Sequence, residues 1–190
     1  AVHGPIGPFL SNDLEAWKSV LDINVVGTAL CVQRAAQSMR NLGKGRVILF
    51  SGGGEKAFKG FSAYVASKGA IWRLTETLGA EFKEHGIFIN AIAPGAVNTQ
   101  LLQNVLDAGP DKVGSDYFQK SIEQKEKGGT PAAKAVALVR YLLSEKSAGL
   151  TGKILSAVWD PYEKLTELEK VSESDWFSMR RVVPDLEEKK

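Results

Sequence analysis

Three short apolar runs constrain this chain more than anything else in it. They are Val47 to Phe50, Ile87-Phe-Ile-Asn-Ala-Ile-Ala93 and Lys153-Ile-Leu-Ser-Ala-Val-Trp159. The first two lack the polar-apolar alternation of a half-exposed strand and read as strands buried on both faces; the third reads as a strand of the same sheet. Helical periodicity fills the intervals. From Leu14 and Trp17 through Val20, Leu21, Ala35, Ala36 and Met39, apolar residues keep a 3.6-residue spacing to about Arg40. That helix is expected to start at Asn12, with Asn12 as cap and Glu15 in the first turn. Asn24 and Gly27 interrupt it, and Asn41-Leu-Gly-Lys-Gly45 stops it. A second helix is expected from about Ala63 to His85. A third is expected from Thr130-Pro131, with Thr as cap and Pro at the first position, to about Ser144. Residues 1–11 read as loop around Pro5 and Pro8, and residues 52–61 as a glycine-containing loop. Residues 99–129 read as polar with short helical pieces at best, and a short helix is expected at 161–170. Helix and strand alternate, so the fold class is α/β with a parallel sheet.

Right-handed crossovers place successive strands side by side, and ligands of such sheets sit beyond the carboxyl ends of the strands. Ser51 and Pro94-Gly95 lie at two of these ends. Just beyond Ser51 stands Tyr64-Val-Ala-Ser-Lys68. Tyr64 and Lys68 are i and i+4 neighbours on one helix face. An ammonium beside a phenol favours phenolate, so the pair is expected to lower the Tyr64 pKa and to exchange a proton with a carbonyl or alcohol oxygen. Ser51 could hydrogen-bond the same oxygen. A Tyr-x-x-x-Lys spacing alone fits an exposed helix pair better than a catalytic one.

Composition narrows the rest. The 190 residues suffice for one domain with a core, and a net charge of +2 signals neither nucleic acid nor an acidic membrane as partner. No apolar run reaches the roughly 18 residues of a membrane span. Cys31 is the single cysteine, so no internal disulfide is possible; a reducing, cytoplasmic setting is expected, with Cys31 as a small apolar residue of a helix core. His3 and His85 have no partner at metal-ligand spacing and are expected on the surface, and no metal site is expected. Trp17 and Trp72 fit core or helix-interface positions.

Four motifs together resemble the short-chain dehydrogenase/reductase family over almost the whole chain to about Asp160. Ser51 precedes Tyr64 by thirteen residues, and Tyr64-Val-Ala-Ser67-Lys68 looks like the family's Tyr-x-x-Ser-Lys helix start. Asp22-Ile-Asn24-Val-Val-Gly27 is similar to its catalytic Asn motif. Asn90-Ala-Ile-Ala-Pro94-Gly95-Ala-Val97-Asn-Thr99 is similar to the segment that embraces a nicotinamide. The resemblance implies the C-terminal portion of a Rossmann-like doubly wound parallel sheet in residues 1–160, followed by a tail at 161–190. It implies an NAD(P)-dependent oxidoreductase interconverting a small-molecule carbonyl and alcohol, with NAD or NADP as cofactor.

Roles follow from the same resemblance. Tyr64 would be general acid in reduction and base in oxidation. Lys68 would hold the nicotinamide ribose, and Ser51 would orient the substrate oxygen. Asn24 would anchor a water in a proton relay from Lys68, or satisfy backbone groups at a helix irregularity. Pro94, Gly95, Val97 and Thr99 would line the nicotinamide, Val97 through its backbone and Thr99 through its hydroxyl; Thr99 also fits a helix cap. The family's glycine-rich phosphate loop is not in the sequence. The chain is therefore expected to be part of a longer enzyme, a homodimer or homotetramer when complete. A truncated, non-catalytic assembly partner is the alternative. Substrate stays open, since Lys112, Lys120, Lys125 and Lys127 suit an acyl-carrier or phosphorylated substrate and a solvated loop alike. The tail's aromatic and basic residues could cover the site, reach a neighbouring subunit or remain solvated.

Overall fold

The computed structural model describes residues 1–53 and 56–182, so the last eight residues of the expected tail lie outside the described part. Three parallel strands form the sheet, in the order β1 (Gly45–Phe50), β2 (Ile87–Ala93), β3 (Ile154–Ser156). The register runs from Gly45 opposite Ile87 to Phe50 opposite Ile92, and from Ala91 opposite Ile154 to Ala93 opposite Ser156. The alternating sides of the strands explain why the first two runs are apolar throughout. Leu49, Ile87, Ile89 and Ala91 pack under Val32, Ala36 and Ile71 on one face. Ile48 and Ile92 pack with Leu138, Leu142, Leu150 and Leu155 on the other. Helices thus cover both faces, as a parallel sheet requires.

The first helix differs from expectation at its start. Residues Phe9–Ser11 form a 3-10 turn, and α1 (Leu14–Leu21) is capped by Asp13, whose carboxylate accepts the N–H groups of Glu15 and Ala16. Asp13 outcompetes Asn12 because it sits one residue nearer the free N–H groups. The interruption at Asn24 and Gly27 is a π-helical turn, Asp22–Val26, joining α1 to α2 (Gly27–Asn41). Such wide turns redirect side chains and recur at functional sites. Next, α3 (Ser62–Phe82) follows β1 and runs into a 3-10 turn at Lys83–His85 before β2. Trp17 Nε1 donates to Ser62 Oγ at 3.1 Å, an α1–α3 interface contact. Trp72 packs against the core cluster under α2 and α3.

The polar stretch after β2 is more helical than its sequence suggests. It holds α4 (Gln100–Ala108), α5 (Pro110–Val113) and α6 (Ser115–Lys127), separated by Gly109 and Gly114 and closed by Gly128, all at positive φ. Each helix buries only a narrow apolar stripe, which is why the composition signals no more than short helical pieces. After it, α7 (Ala132–Leu143) begins one residue beyond Pro131 with no side-chain cap. Thr130 donates its N–H to the Ala96 carbonyl at 2.8 Å, so it serves the segment after β2 rather than the helix.

β3 stops sooner than expected. Ser156 Oγ accepts the N–H groups of Val158 and Trp159, and Asp160 accepts that of Ser156, which turns the chain. In the tail, a 3-10 turn at Tyr162–Lys164 precedes α8 (Leu168–Glu173). Val171 is buried with Leu150 and Leu155, and Phe177 accepts the N–H of Ile154 through its carbonyl. The tail therefore packs on the α7 side of the sheet. Among the described residues no helix is long and apolar enough to cross a membrane.

Candidate active site

Ser51 follows β1 directly and is held there by its N–H, which donates to the Ile92 carbonyl at 2.9 Å. It is buried, and its hydroxyl donates to the Lys68 carbonyl at 3.1 Å. Tyr64 stands one helical turn before Lys68 on α3. Lys68 is 5% exposed, its Nζ donates to the Phe50 carbonyl at 2.8 Å, and it lies 5.6 Å from the centre of the Tyr64 ring. The fold thus gathers Ser51, Tyr64 and Lys68 where β1 ends against the first turns of α3.

Electrostatics reverse one expectation. The Tyr64 phenol is pushed above its ordinary pKa, first by burial and then by the nearby Tyr117 phenol. Burial also pushes the Lys68 ammonium below its ordinary value. Lys68 does not lower Tyr64 because its ammonium is aimed at the Phe50 carbonyl and meets the ring rather than the hydroxyl. The Lys68 ammonium has three donors and one acceptor, and no carboxylate pairs with it among the described residues. A buried cation with unused donors suits a neutral, hydroxyl-rich group such as a ribose.

Asn24 is 4% exposed and its side chain is fully engaged. Its Oδ1 accepts the Val2 N–H at 2.9 Å, while Nδ2 donates to the Val2 carbonyl and to Ser67 Oγ, each at 2.9 Å. Its carbonyl takes the Thr28 hydroxyl at 2.7 Å. The side chain therefore pins the first residues of the chain to α3. Asn24 and Lys68 do line one cavity of about 660 Å³, which opens beside β1 along Arg46–Phe50.

Pro94, Gly95, Val97 and Thr99 line a second cavity, of about 380 Å³, together with Ser51 and Tyr64. This segment is fixed in place. Gln124 Nε2 donates to the Ala96 carbonyl at 3.0 Å and to Asn98 Oδ1 at 2.9 Å. Gly129 has to be glycine here, since a Cβ on it would lie 2.2 Å from the Ala96 oxygen. Val97 commits its N–H to the Gly95 carbonyl at 3.0 Å. Thr99 caps α4 by accepting the Leu101 N–H at 3.3 Å, which leaves its own hydroxyl hydrogen free to donate. The residues present fit a nicotinamide: a half-apolar slot, a free Thr99 donor, and the Lys68 donors on the adjoining cavity.

Two expectations fail at single residues. His3 is 8% exposed rather than on the surface, and its Nδ1 has no hydrogen-bond partner among the described residues. Burial, then Lys68, lowers its pKa to about 4. Cys31 is exposed rather than in a core, because its face of α2 looks into the open cavity beside β1. Phe58, Tyr117 and Trp159 also line the cavity at Tyr64. Sequence periodicity does not signal them, since they come from a loop, a polar helix and a turn. No group of three or more metal-ligating side chains occurs among the described residues.

The chain is similar in sequence and fold to known proteins. A model of the family described as enoyl-(acyl carrier protein) reductase matches residues 1–157. The chain is similar to the short-chain reductase protein NovJ of Streptomyces niveus, 36% identical over 142 residues, covering 73% of this chain and 53% of that protein. It is similar to a 2,5-dichloro-2,5-cyclohexadiene-1,4-diol dehydrogenase of Sphingobium indicum, 34% identical over 152 residues, covering 79% of this chain and 59% of that protein. Among solved structures, an NAD+-bound xylitol dehydrogenase superposes with a TM-score of 0.73 at 27% identity, over 82% of this chain and 64% of that one. The chain thus spans a little over half the length of the two curated relatives.

Proposed function

The chain belongs to the short-chain dehydrogenase/reductase family, and on that premise we propose that it carries the proton-transfer site of an oxidoreductase that interconverts a carbonyl and an alcohol with a nicotinamide dinucleotide. One observation carries the reading. Ser51 and Tyr64 line the same cavity as Pro94, Gly95, Val97 and Thr99, with the Lys68 ammonium behind them, paired with no carboxylate among the described residues.

When bound, the dinucleotide supplies or takes up hydride at the substrate carbon. The chain's own residues handle the oxygen. A phenol held above its ordinary pKa stays protonated at neutral pH, so Tyr64 is ready to donate to a developing alkoxide in reduction. Tyr64 recovers a proton from solvent through the cavity shared by Lys68 and Asn24. The Ser51 hydroxyl needs only to leave the Lys68 carbonyl to orient the substrate oxygen. Lys68 keeps one donor on the Phe50 carbonyl and offers its remaining donors to ribose hydroxyls. Asn24 supports the relay by fixing residues 1–3 and the π-helical turn. Whether NAD or NADP serves is set by groups that contact the adenosine end, which these residues do not reach.

The share of the relatives' length that the chain spans supports reading it as part of a longer enzyme. The groove between α2 and α3, about 620 Å³ and lined by Val32, Leu74 and Leu78 together with Gln37, Arg40 and Glu81, is compatible with assembly as a dimer or tetramer. A single cysteine is compatible with a reducing, cytoplasmic setting.

The test is Tyr64→Phe in the protein that carries this chain, followed by nicotinamide absorbance. The variant should lose at least about 100-fold in turnover while retaining dinucleotide binding. Turnover near the parent's would overturn the assignment and favour the non-catalytic assembly partner.

A further inference from the structure

The cavity at Tyr64 has walls that proton transfer does not use. An unbroken run of rings leaves the phenol. His3 meets Tyr64 edge-on at 4.6 Å and Phe61 at 5.3 Å between centres. Phe61 stacks on Phe58 at 4.2 Å, and Phe58 meets Tyr117 edge-on at 4.6 Å. The run begins on α3, crosses two loops and ends on α6. Phe61 is fully buried behind it, while Phe58 and Tyr117 line the cavity opposite Leu101, Leu102 and Val105 of α4.

The charge balance of this lining is as informative as its apolarity. No Lys, Arg, Asp or Glu lines the cavity among the described residues. Its one basic ring, His3, is neutral at neutral pH. The nearest cation, the Lys68 ammonium, stands behind the Tyr64 ring with its Nζ on the Phe50 carbonyl and is not part of the lining, so an anion entering the cavity gives up its hydration without a contacting counter-charge, which is unfavourable. The lysines of the α4–α6 stretch do not supply one. Lys125 pairs with Gln103 and Lys127 with Glu123, while Lys112 and Lys120 are absent from the lining. Size adds a second limit. At about 380 Å³ the cavity is at the small end of ligand sites, roughly 300 to 1,000 Å³, and a nicotinamide against Pro94 to Thr99 would take part of that space. A long acyl chain would have to run out of it into solvent.

We infer that, resting on the reading above, this site takes a neutral ketone or secondary alcohol borne on a single small ring, held against Phe58 and Tyr117, and rejects carboxylated and phosphorylated substrates. Aromatic edges and faces recognise such a ring through shape and apolar contact.

The test measures binding rather than turnover. The protein is titrated with cyclohexanone and with 4-oxocyclohexanecarboxylate, and saturation-transfer NMR reads each affinity. The neutral ring should bind at least tenfold more tightly. Gln124→Lys should narrow that gap at least threefold by tightening the carboxylate, because a lysine there still reaches the Ala96 carbonyl and Asn98 while bringing a cation to the rim. Equal or tighter binding of the carboxylate by the parent protein overturns the inference, and so does binding of neither ring or an unchanged gap in Gln124→Lys. None of these readouts depends on turnover, so retained activity in Tyr64→Phe would count against the proton-transfer reading alone.

Discussion

Tyr64, Lys68 and His3 stand close together beyond the end of β1, and burial moves each toward its neutral form: the phenol upward, the ammonium and imidazole downward. The sequence reveals that Tyr64 and Lys68 are neighbours, since that follows from a spacing of four. It does not reveal the direction of the Tyr64 shift, which depends on where the ammonium points, nor that His3 is inside, which depends on Asn24 drawing residues 1–3 against α3. His3 yields a prediction with a definite sign. Its pKa is 6.5 in the unfolded chain and about 4 in the fold, so between those values the unfolded chain holds more protons and stability falls as pH falls. Below about 4 both states are charged and the trend ends. After allowing for solvent screening, the loss is on the order of 2 kcal/mol. His3→Phe keeps the edge-on contacts to Tyr64 and Phe61 and has no proton to gain. Urea denaturation at pH 6.5 and pH 4.5 should show the parent losing more stability than the variant; equal losses would place the acid sensitivity elsewhere.

At the scale of elements, legibility followed how many constraints a segment carries. β2 is bounded as the sequence indicates, because its apolar run is flanked by Gly86 and Pro94. The start of α1 was off by one competing cap, Asp13 for Asn12, and β3 was cut short by the Ser156–Asp160 turn. The α4–α6 stretch reads as polar with short helical pieces at best because glycines divide it and because each helix buries one narrow stripe, such as Val105 on α4. Packing between elements is less legible still. Nothing in the periodicity of α3 shows that Gly79 is where the helix touches the turn before β3. A Cβ there would lie 2.5 Å from both the backbone N and Cα of Gly152. Backbone cannot step aside as a flexible side chain can. Gly79→Ala should therefore destabilise the fold by about 2 kcal/mol, despite the better helix propensity of alanine. Thermal melting reads this directly, and an unchanged or raised midpoint would mean that α3 can lift off the turn at no cost.

Across the whole molecule, the sheet is closed on one side and open on the other. β3 is covered by the tail, with Ile154 bonded to the Phe177 carbonyl. β1 pairs only with β2 among the described residues, and the cavity beside it is walled by α2. Around that opening Phe50, Ile23, Val26 and Leu30 are each about half exposed, and Cys31 is exposed with them. Unpaired strand edges beside apolar side chains template pairing with other chains. The three-strand arrangement was legible in the sequence, whereas the exposure of the α2 face was not, because its periodicity looks the same whether or not something covers it. The 190-residue chain, produced alone, should therefore self-associate through this side as its concentration rises. Phe50→Lys places a charge on the edge while leaving the backbone carbonyl that holds Lys68 Nζ. Sedimentation velocity over a concentration series should show the parent shifting to larger species and the variant shifting at least several-fold higher in concentration. If Phe50→Lys associates as readily as the parent, association runs through the groove between α2 and α3 instead, and a charge at Leu78 in that groove would be the change that disperses it.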